Sequence, residues 1–492
     1  MTLGAGIELE RPIRNPDLAS QPLMTKRARW LVVLGFLIPG SAQTLAGNRR
    51  LGRFGLAVTI TTWVLALALV AGLLFLRVPT LSLLTNGIFL LALQGAMLVV
   101  AVVWLVLGFD TLRLTKLVRV QPNWRMPIAL LSVLLTVLPV AGAAWGSTLV
   151  GAGRTTIGSI FVGAPAVKPV DGRYNILLLG TDAGSDREGM RPDSISLVSV
   201  DAKTGQSVII GLPRELVDMP FPESSPMHEL HPNGFCDPPN FFGDWQGCLT
   251  GTGYLNSVYA EIEQADEIVE VEGLSPELAD VYAGLYPGAT KRGSSPGIEA
   301  TKDAVSGATG LTVQFYVLLN MDAFSAIVDA LGGVTVTVPE RLPIGGGIDP
   351  WSGQLVGVEG WIEPGEQHLD GYHAQWFARS RYGSANGDYD RMQRQRDLQA
   401  AILAQMNPAN VLLRFQEIAK AGTQLVKTDI PESMLGRFVD LAAKARAHSP
   451  INVELVPPAV DPEYPVYEEI HRLVREGVAA ASEAALPTEE EK

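Results

Sequence analysis

Tyr174-Asn175-Ile176-Leu177-Leu178-Leu179-Gly180-Thr181-Asp182 sets the fold of the larger part of this chain. An unbroken aliphatic run closed by a glycine suits a central strand buried on both faces, because a half-exposed strand would alternate apolar with polar residues. Downstream, 194–201 alternates more loosely, Lys203-Thr204-Gly205 turns the chain, and Ser207-Val208-Ile209-Ile210 completes a strand-turn-strand unit. Helical spacing appears at 297–308 and 322–331. Gly332-Gly333 stops the second helix, and Val334-Thr335-Val336-Thr337-Val338 follows as a strand. Further helical stretches lie near 390–406, 409–421, 431–447 and 464–480, with a short strand at 451–456. Helices alternating with strands predict an α/β layered domain over 172–480, ample for one core. The acidic end, 481–492, is expected to be disordered.

Upstream the composition changes. Segments 54–76, 81–109 and 127–150 carry no charged residue and are long enough for a bilayer core, which takes about 20 apolar residues. Residues 30–47 are apolar at first but are interrupted by Pro39-Gly40-Ser41-Ala42-Gln43. Arg113, Lys116, Arg119 and Arg125 mark the loop between the second and third spans as cytoplasmic, which puts everything after the third span outside. Arg49, Arg50 and Arg53, like Lys26, Arg27 and Arg29, also belong inside. The reading that satisfies both groups is a re-entrant 30–47 with three spans, in preference to four. The expected organisation is a cytoplasmic tail (1–29), an all-α membrane region (30–150), a stalk (151–171) and the extracytoplasmic α/β domain. A cleavable signal peptide is not expected.

The chain has a formal net charge of -13, yet five arginines crowd into 379–396: Arg379, Arg381, Arg391, Arg394 and Arg396. Guanidinium forks match phosphate oxygens, so this density suits a pyrophosphate-like group. On a helix from 389 onward, Arg391, Arg394 and Gln395 would share a face. A solvated basic face paired with Asp388 and Asp390 is the competing reading. Gly180-Thr181-Asp182 after the first strand, Arg191-Pro192-Asp193-Ser194 and Pro213-Arg214 form a second constellation, with loops at strand ends where α/β sheets bind ligands. Asp182 and Asp193 offer hard oxygen ligands for Mg²⁺, or Mn²⁺ in its place, while Arg191 and Arg214 offer phosphate donors. The two cysteines, Cys236 and Cys248, read as a disulfide closing a surface loop. The alternative is a zinc site with His228 and His231. Nucleic-acid binding is disfavoured by the acidic balance, the predicted location, and the lack of a basic surface with stacking aromatics.

Taken together, these motifs resemble the LytR-CpsA-Psr family of cell-wall ligases over roughly 172–405. The resemblance rests on Asn175 to Asp182, Arg191-Pro192-Asp193-Ser194, Leu212-Pro213-Arg214, Leu331 to Val334, Gly365 to Gly371, Ala378-Arg379-Ser380-Arg381 and Gly387 to Gln395. It implies a three-layer α-β-α domain with a mixed central sheet. It also implies transfer of a phosphoryl-linked glycopolymer from an undecaprenyl diphosphate carrier to peptidoglycan. Most members have one amino-terminal span; the multi-span region here looks like the variant of some actinobacterial members. By the resemblance, Asp182 and Asp193 match metal-linked carboxylates. Arg191, Arg214, Arg379, Arg381 and Arg391 match pyrophosphate contacts, with Arg394 and Gln395 beside them, and Asp388 orients the arginines or joins the metal. Asp193 is a weak candidate base, since a metal-bound carboxylate is a poor one. His368 and His373 are read as structural. A polyprenyl tail needs an apolar tunnel, for which Phe324, Ile327, Val328, Leu398 and Ile402 are the candidate lining, against ordinary core packing. The rival functions are a polyprenyl-phosphate-binding regulator and a lipid pyrophosphatase.

Overall fold

A computed structural model describes residues 13–181, 192–236, 248–250, 252–272, 276–349, 351–382, 387–405 and 426–484. Asp182, Arg191, the helix expected at 409–421 and residues 485–492 of the acidic end lie outside the described residues, whereas 481–484, expected to be disordered, are helical. The chain divides into two units, Met1–Arg154 and Thr155–Lys492.

The first unit is all helix: α1 (Gln21–Leu37), α2 (Ser41–Ala46), α3 (Arg49–Phe75), α4 (Arg77–Thr85), α5 (Gly87–Thr115) and α6 (Pro122–Ile160). Three helical stretches are long and apolar enough to cross a membrane: Arg49–Phe75, Gly87–Arg119 and Pro122–Ile160. The helix breaks between α1 and α2 at Pro39-Gly40, where Gly40 adopts φ 100°, a conformation costly for any residue with a Cβ. Buried Gln43 ties α2 to α5, its Nε2 donating to the Leu107 carbonyl (2.9 Å) and to Thr111 Oγ1 (3.0 Å). Two expectations need correction. The second span starts at Gly87 rather than 81, because Asn86 Oδ1 accepts from the Ile88 and Phe89 amides and caps α5 there, leaving 81–85 to the separate helix α4. The segment 151–160 is the end of α6 rather than an extended stalk. Its Gly, Thr and Ser content weakens helix propensity, but the chain had already nucleated a long helix, and adding residues to one costs little.

The second unit is built on a six-stranded mixed sheet. Its strands are β1 (Arg173–Thr181), β2 (Pro192–Asp201), β3 (Ser207–Leu212), β4 (Phe315–Asn320), β9 (Val426–Thr428) and β10 (Ile451–Glu454), in the order β10-β3-β2-β1-β4-β9. β1 pairs parallel with β4 and antiparallel with β2, and β3 pairs parallel with β10. The predicted turn between β2 and β3 is present: Gly205 adopts φ 79°, and Asp201 Oδ1 accepts from the Lys203 (2.9 Å) and Thr204 (2.8 Å) amides.

Both faces of β1 are covered, as its aliphatic run requires. Leu177 and Leu179 pack with Leu197 and Ile210 against α11 (Pro296–Thr309) and α16 (Tyr467–Ala484), through Ile298, Val305, Ile470 and Val474. Tyr174 and Ile176 face the opposite layer with Phe315, Val317, and Phe438 and Leu441 of α15 (Leu435–Ala445). The result is helix, sheet, helix. Between α7 (Pro226–Leu230) and α11 lie α8 (Val258–Glu263), α9 (Ala265–Glu272) and α10 (Pro276–Gly284). A second small core joins α12 (Met321–Leu331), α13 (Gly371–Arg379) and α14 (Asp388–Gln405) to the strand pair β5 (Val334–Val338) and β8 (Gly365–Leu369). Strands β6 (Leu342–Ile348) and β7 (Leu355–Ile362) form a separate hairpin.

Candidate functional site

Strand direction gathers the site. β1, β3 and β4 all run the same way, so Thr181, Leu212 and Asn320 end at one edge of the sheet, where β2, running oppositely, begins with Pro192-Asp193. Arg214 follows β3 directly. α13 ends at Arg379 and α14 starts at Asp388, and both deliver side chains to the same edge. α13 is fixed there by a close approach to α12: a Cβ on Gly371 would lie 2.1 Å from the Ser325 carbonyl oxygen, while the Gly371 amide donates to Asp329 Oδ1 at 2.7 Å.

At this edge two carboxylates sit among three guanidinium groups. Asp193 Oδ1 is 2.6 Å from Arg214 Nη1 and 3.8 Å from Arg381 Nη2. Asp388 meets Arg391 at 3.0 Å, Arg381 at 3.4 Å and Arg214 at 4.0 Å. Arg391 Nη2 also donates to the Asp193 carbonyl at 3.2 Å. Burial pulls the Arg214 guanidinium down, but its hydrogen bond to Asp193 and the nearby Asp388 and Glu215 outweigh that and hold it above its ordinary value. Burial lowers Arg391, which is only 3 % exposed; Asp388 offsets part of this, and neighbouring Arg381 adds to the lowering. Buried polar atoms are normally hydrogen-bonded. Yet Arg391 Nε, Arg214 Nε and Asp388 Oδ1 are buried here with no hydrogen-bond partner among the described residues. Donors left open beside a cavity are what a bound oxyanion would satisfy.

That cavity is about 1410 Å³ and runs from the arginines along the sheet face. Asp193, Arg214, Arg379, Arg381, Arg391 and Gln395 line its polar end. Leu178, Val198 and Ile209 of the sheet oppose Phe324, Ile327, Val328, Leu398 and Ile402 on the helices. All five candidate tunnel residues therefore reach the cavity, although Val328 and Leu398 also belong to the packed core beside it.

One site residue is placed differently from expectation. Arg394 is 2 % exposed and turned away from the cavity. Its Nε donates to the Phe377 carbonyl at 3.1 Å and its Nη2 to the Ser380 carbonyl, with Glu340 at 3.8 Å. The reason is angular: the cavity stripe of α14 runs Arg391, Gln395, Leu398 and Ile402, and position 394 is rotated about 100° from 395. Arg394 instead fastens the carboxyl-terminal turn of α13, which carries Arg379 and leads through Ser380 to Arg381. Gln395 reaches the cavity but also donates to the Ala378 carbonyl at 3.1 Å. Arg396 points elsewhere, to Glu454 at 2.8 Å. Two further wall residues escaped sequence reading, Glu215, 2.8 Å from Arg214, and Trp376, whose ring centre is 5.4 Å from the Arg379 guanidinium carbon. The Trp376/Arg379 i, i+3 spacing was the available signal.

His368 bonds to Thr335 Oγ1 (3.1 Å) and the Gly332 carbonyl (3.1 Å), and His373 bonds to its helix cap Asp370 at 2.6 Å, which is structural work. Cys236 and Cys248 are paired, with Cα atoms 5.1 Å apart. His231 Nδ1 accepts from the Cys236 amide rather than facing the sulfurs. Among the described residues no group of three or more His, Cys, Asp or Glu side chains forms a metal site. Asp193 and Asp388 nonetheless share Arg214 and Arg381 as neighbours, and Asp388 Oδ1 is unsatisfied. A Mg²⁺ ion held mainly by water and phosphate needs only one or two carboxylates, so the residues fit it.

The α/β unit thus carries a long cavity that is apolar along its length and lined at one end by arginines and Asp193. The LytR_cpsA_psr family model matches residues 264–460. Over those residues the chain is similar to the LytR-CpsA-Psr family. It is 26 % identical over 332 residues to the cell wall biosynthesis protein LcpA of Corynebacterium glutamicum, covering 63 % of this chain and 55 % of that one. It is 27 % identical over 137 residues to the polyisoprenyl-teichoic acid–peptidoglycan teichoic acid transferase TagV of Bacillus subtilis, covering 28 % of this chain and 34 % of that one. The chain thus spans between a third and about half the length of these relatives. The solved LytR-Csp2A-Psr enzyme from Actinomyces oris superposes with a TM-score of 0.38 at 19 % identity, over 65 % of this chain and 94 % of that one.

Proposed function

We propose that this chain is a glycopolymer phosphotransferase. It would move a phosphoryl-linked glycan from a polyprenyl, specifically undecaprenyl, diphosphate to a hydroxyl of peptidoglycan on the outer side of the membrane. The carrying observation is the cavity whose apolar length ends at open guanidinium donors. The tail lies along Leu178, Ile209, Phe324 and Ile402. The diphosphate meets Arg214, Arg379, Arg381 and Arg391. The acceptor oxygen attacks the glycan-side phosphorus, the bond from that phosphorus to the bridging oxygen breaks, and the lipid monophosphate leaves. Charge grows on the bridging oxygen as it leaves, and the arginines, already held in place by Asp193 and Asp388, stabilise it without reorganising. Asp193, with Asp388 beside it, would hold Mg²⁺, and the ion would supply further neutralisation of phosphate charge. Asp193 would take the acceptor proton, and it is a poor base while it also holds the ion.

The test incubates the full-length chain in nanodiscs with Mg²⁺, a short-chain lipid-diphosphate glycan and peptidoglycan fragments, and reads products by mass spectrometry. A coupled glycan-peptidoglycan product that disappears in Arg381→Ala is expected. Release of free glycan phosphate alone would replace the transferase with a pyrophosphatase. No turnover with tight lipid binding would make it a regulator.

A further inference from the structure

A second recess lies in the first unit, where α1 and α6 begin. It has a volume of about 560 Å³ and is walled by Lys26, Arg29, Trp30 and Val33 of α1 and by Gln121 and Trp124 at the start of α6. The two helices leave it side by side, packed through Ala28, Val32 and Ile128, and the Gln121 amide donates to Thr25 Oγ1 at 3.1 Å. Arg29 lies flat on Trp124, its guanidinium carbon 3.4 Å from the ring centre, which fixes that cation at the mouth. Among the described residues neither Lys26 nor Arg29 is ion-paired with a carboxylate.

We propose that this recess binds the phosphodiester headgroup of an anionic bilayer lipid. Position supports a lipid over a free anion. Trp30 and Trp124 are both well exposed, as indoles at a membrane interface are. Further along the same helices the exposed large side chains are apolar, Phe36 and Leu37 on α1 and Met126 and Leu130 on α6, which suits contact with acyl chains. Charge supports an anionic lipid over a zwitterionic one, because Arg113, Lys116, Arg119 and Arg125 lie from the end of α5 to the start of α6, with Asp110 the one acid between 110 and 125. The site is independent of the arginine-lined cavity, which lies in the other unit.

The experiment uses the full-length chain, delipidated in detergent and returned to phosphatidylcholine nanodiscs doped with phosphatidylglycerol, with bound lipid counted by native mass spectrometry. Lys26→Gln with Arg29→Gln should weaken phosphatidylglycerol retention about thirty-fold, roughly five- to six-fold for each basic side chain. Arg50→Gln with Arg53→Gln, an equal charge loss on α3, should leave it unchanged, and millimolar inorganic phosphate should not compete. Equal loss in both double variants, equal retention of phosphatidylcholine, or displacement by phosphate would each overturn the proposal.

Discussion

Replacing Arg394 with methionine separates a residue that holds the site together from one that touches the ligand. The substitution keeps the bulk and removes two charge-assisted hydrogen bonds, each contributing about 1.5–3 kcal/mol, and it strands the Phe377 and Ser380 carbonyls in a buried place. The loss should be about 3–5 kcal/mol, concentrated at the end of α13. Protection of amides is a local free energy, so at 1.4 kcal/mol per decade hydrogen exchange over 376–382 should quicken by about two to three decades. Arg394→Lys keeps the charge but not the fork and should fall between. Pyrophosphate affinity should weaken in the same order, since Arg379 and Arg381 lose their rigid base. The reasoning fails if affinity drops while exchange at 376–382 stays as in the parent, because Arg394 would then be a direct contact.

Arg391→Ala and Asp193→Ala should each lower transfer at least a hundredfold while leaving polyprenyl phosphate bound, measured by single-turnover kinetics beside lipid retention. Removing Mg²⁺ with a chelator should lower transfer without releasing the lipid; full activity in the chelator would exclude the ion. Ile402→Trp adds bulk to the apolar cavity and should weaken a long polyprenyl chain more than a two-isoprene analogue, and equal effects on both would refute the tail path. Lys302 is held between Asp429 (2.8 Å) and Glu299 (3.1 Å), so Lys302→Met should destabilise the α/β unit by about 3–5 kcal/mol, read by denaturant unfolding. Burial lowers the Lys302 pKa, but those two carboxylates raise it above its ordinary 10.5; the stabilisation is therefore complete below that pH and lost as pH rises through the folded value. A parent protein whose stability is flat above pH 10.5 would contradict this. Non-reducing peptide mapping should recover Cys236 and Cys248 in one linked peptide.

The sequence by itself determined what local pattern and composition carry. Ile176 to Leu179 had to be a doubly covered strand, the 203–205 turn had to join two strands, and Gly332-Gly333 had to end α12 before β5. Uncharged runs marked three helices able to cross a membrane, and the density of arginine marked a candidate anion site. Boundaries escaped where a single side chain decided them, as with the cap by Asn86. β4 escaped because Phe315 to Leu319 is apolar on both faces, a run that reads equally as strand or buried helix.

Only the tertiary structure decided which of the arginines meet. Arg214, Arg381 and Arg391 come from three separate places in the chain and converge because β1, β3 and β4 end at one edge of the sheet. Arg394, three residues from Arg391, turns to the backbone instead, since a helix rotates successive side chains by about 100° and only the packing of α13 says what each direction contains. Residue type gave the chemistry available. The fold assigned it, because charge acts through distance, and distance between remote segments is set by packing.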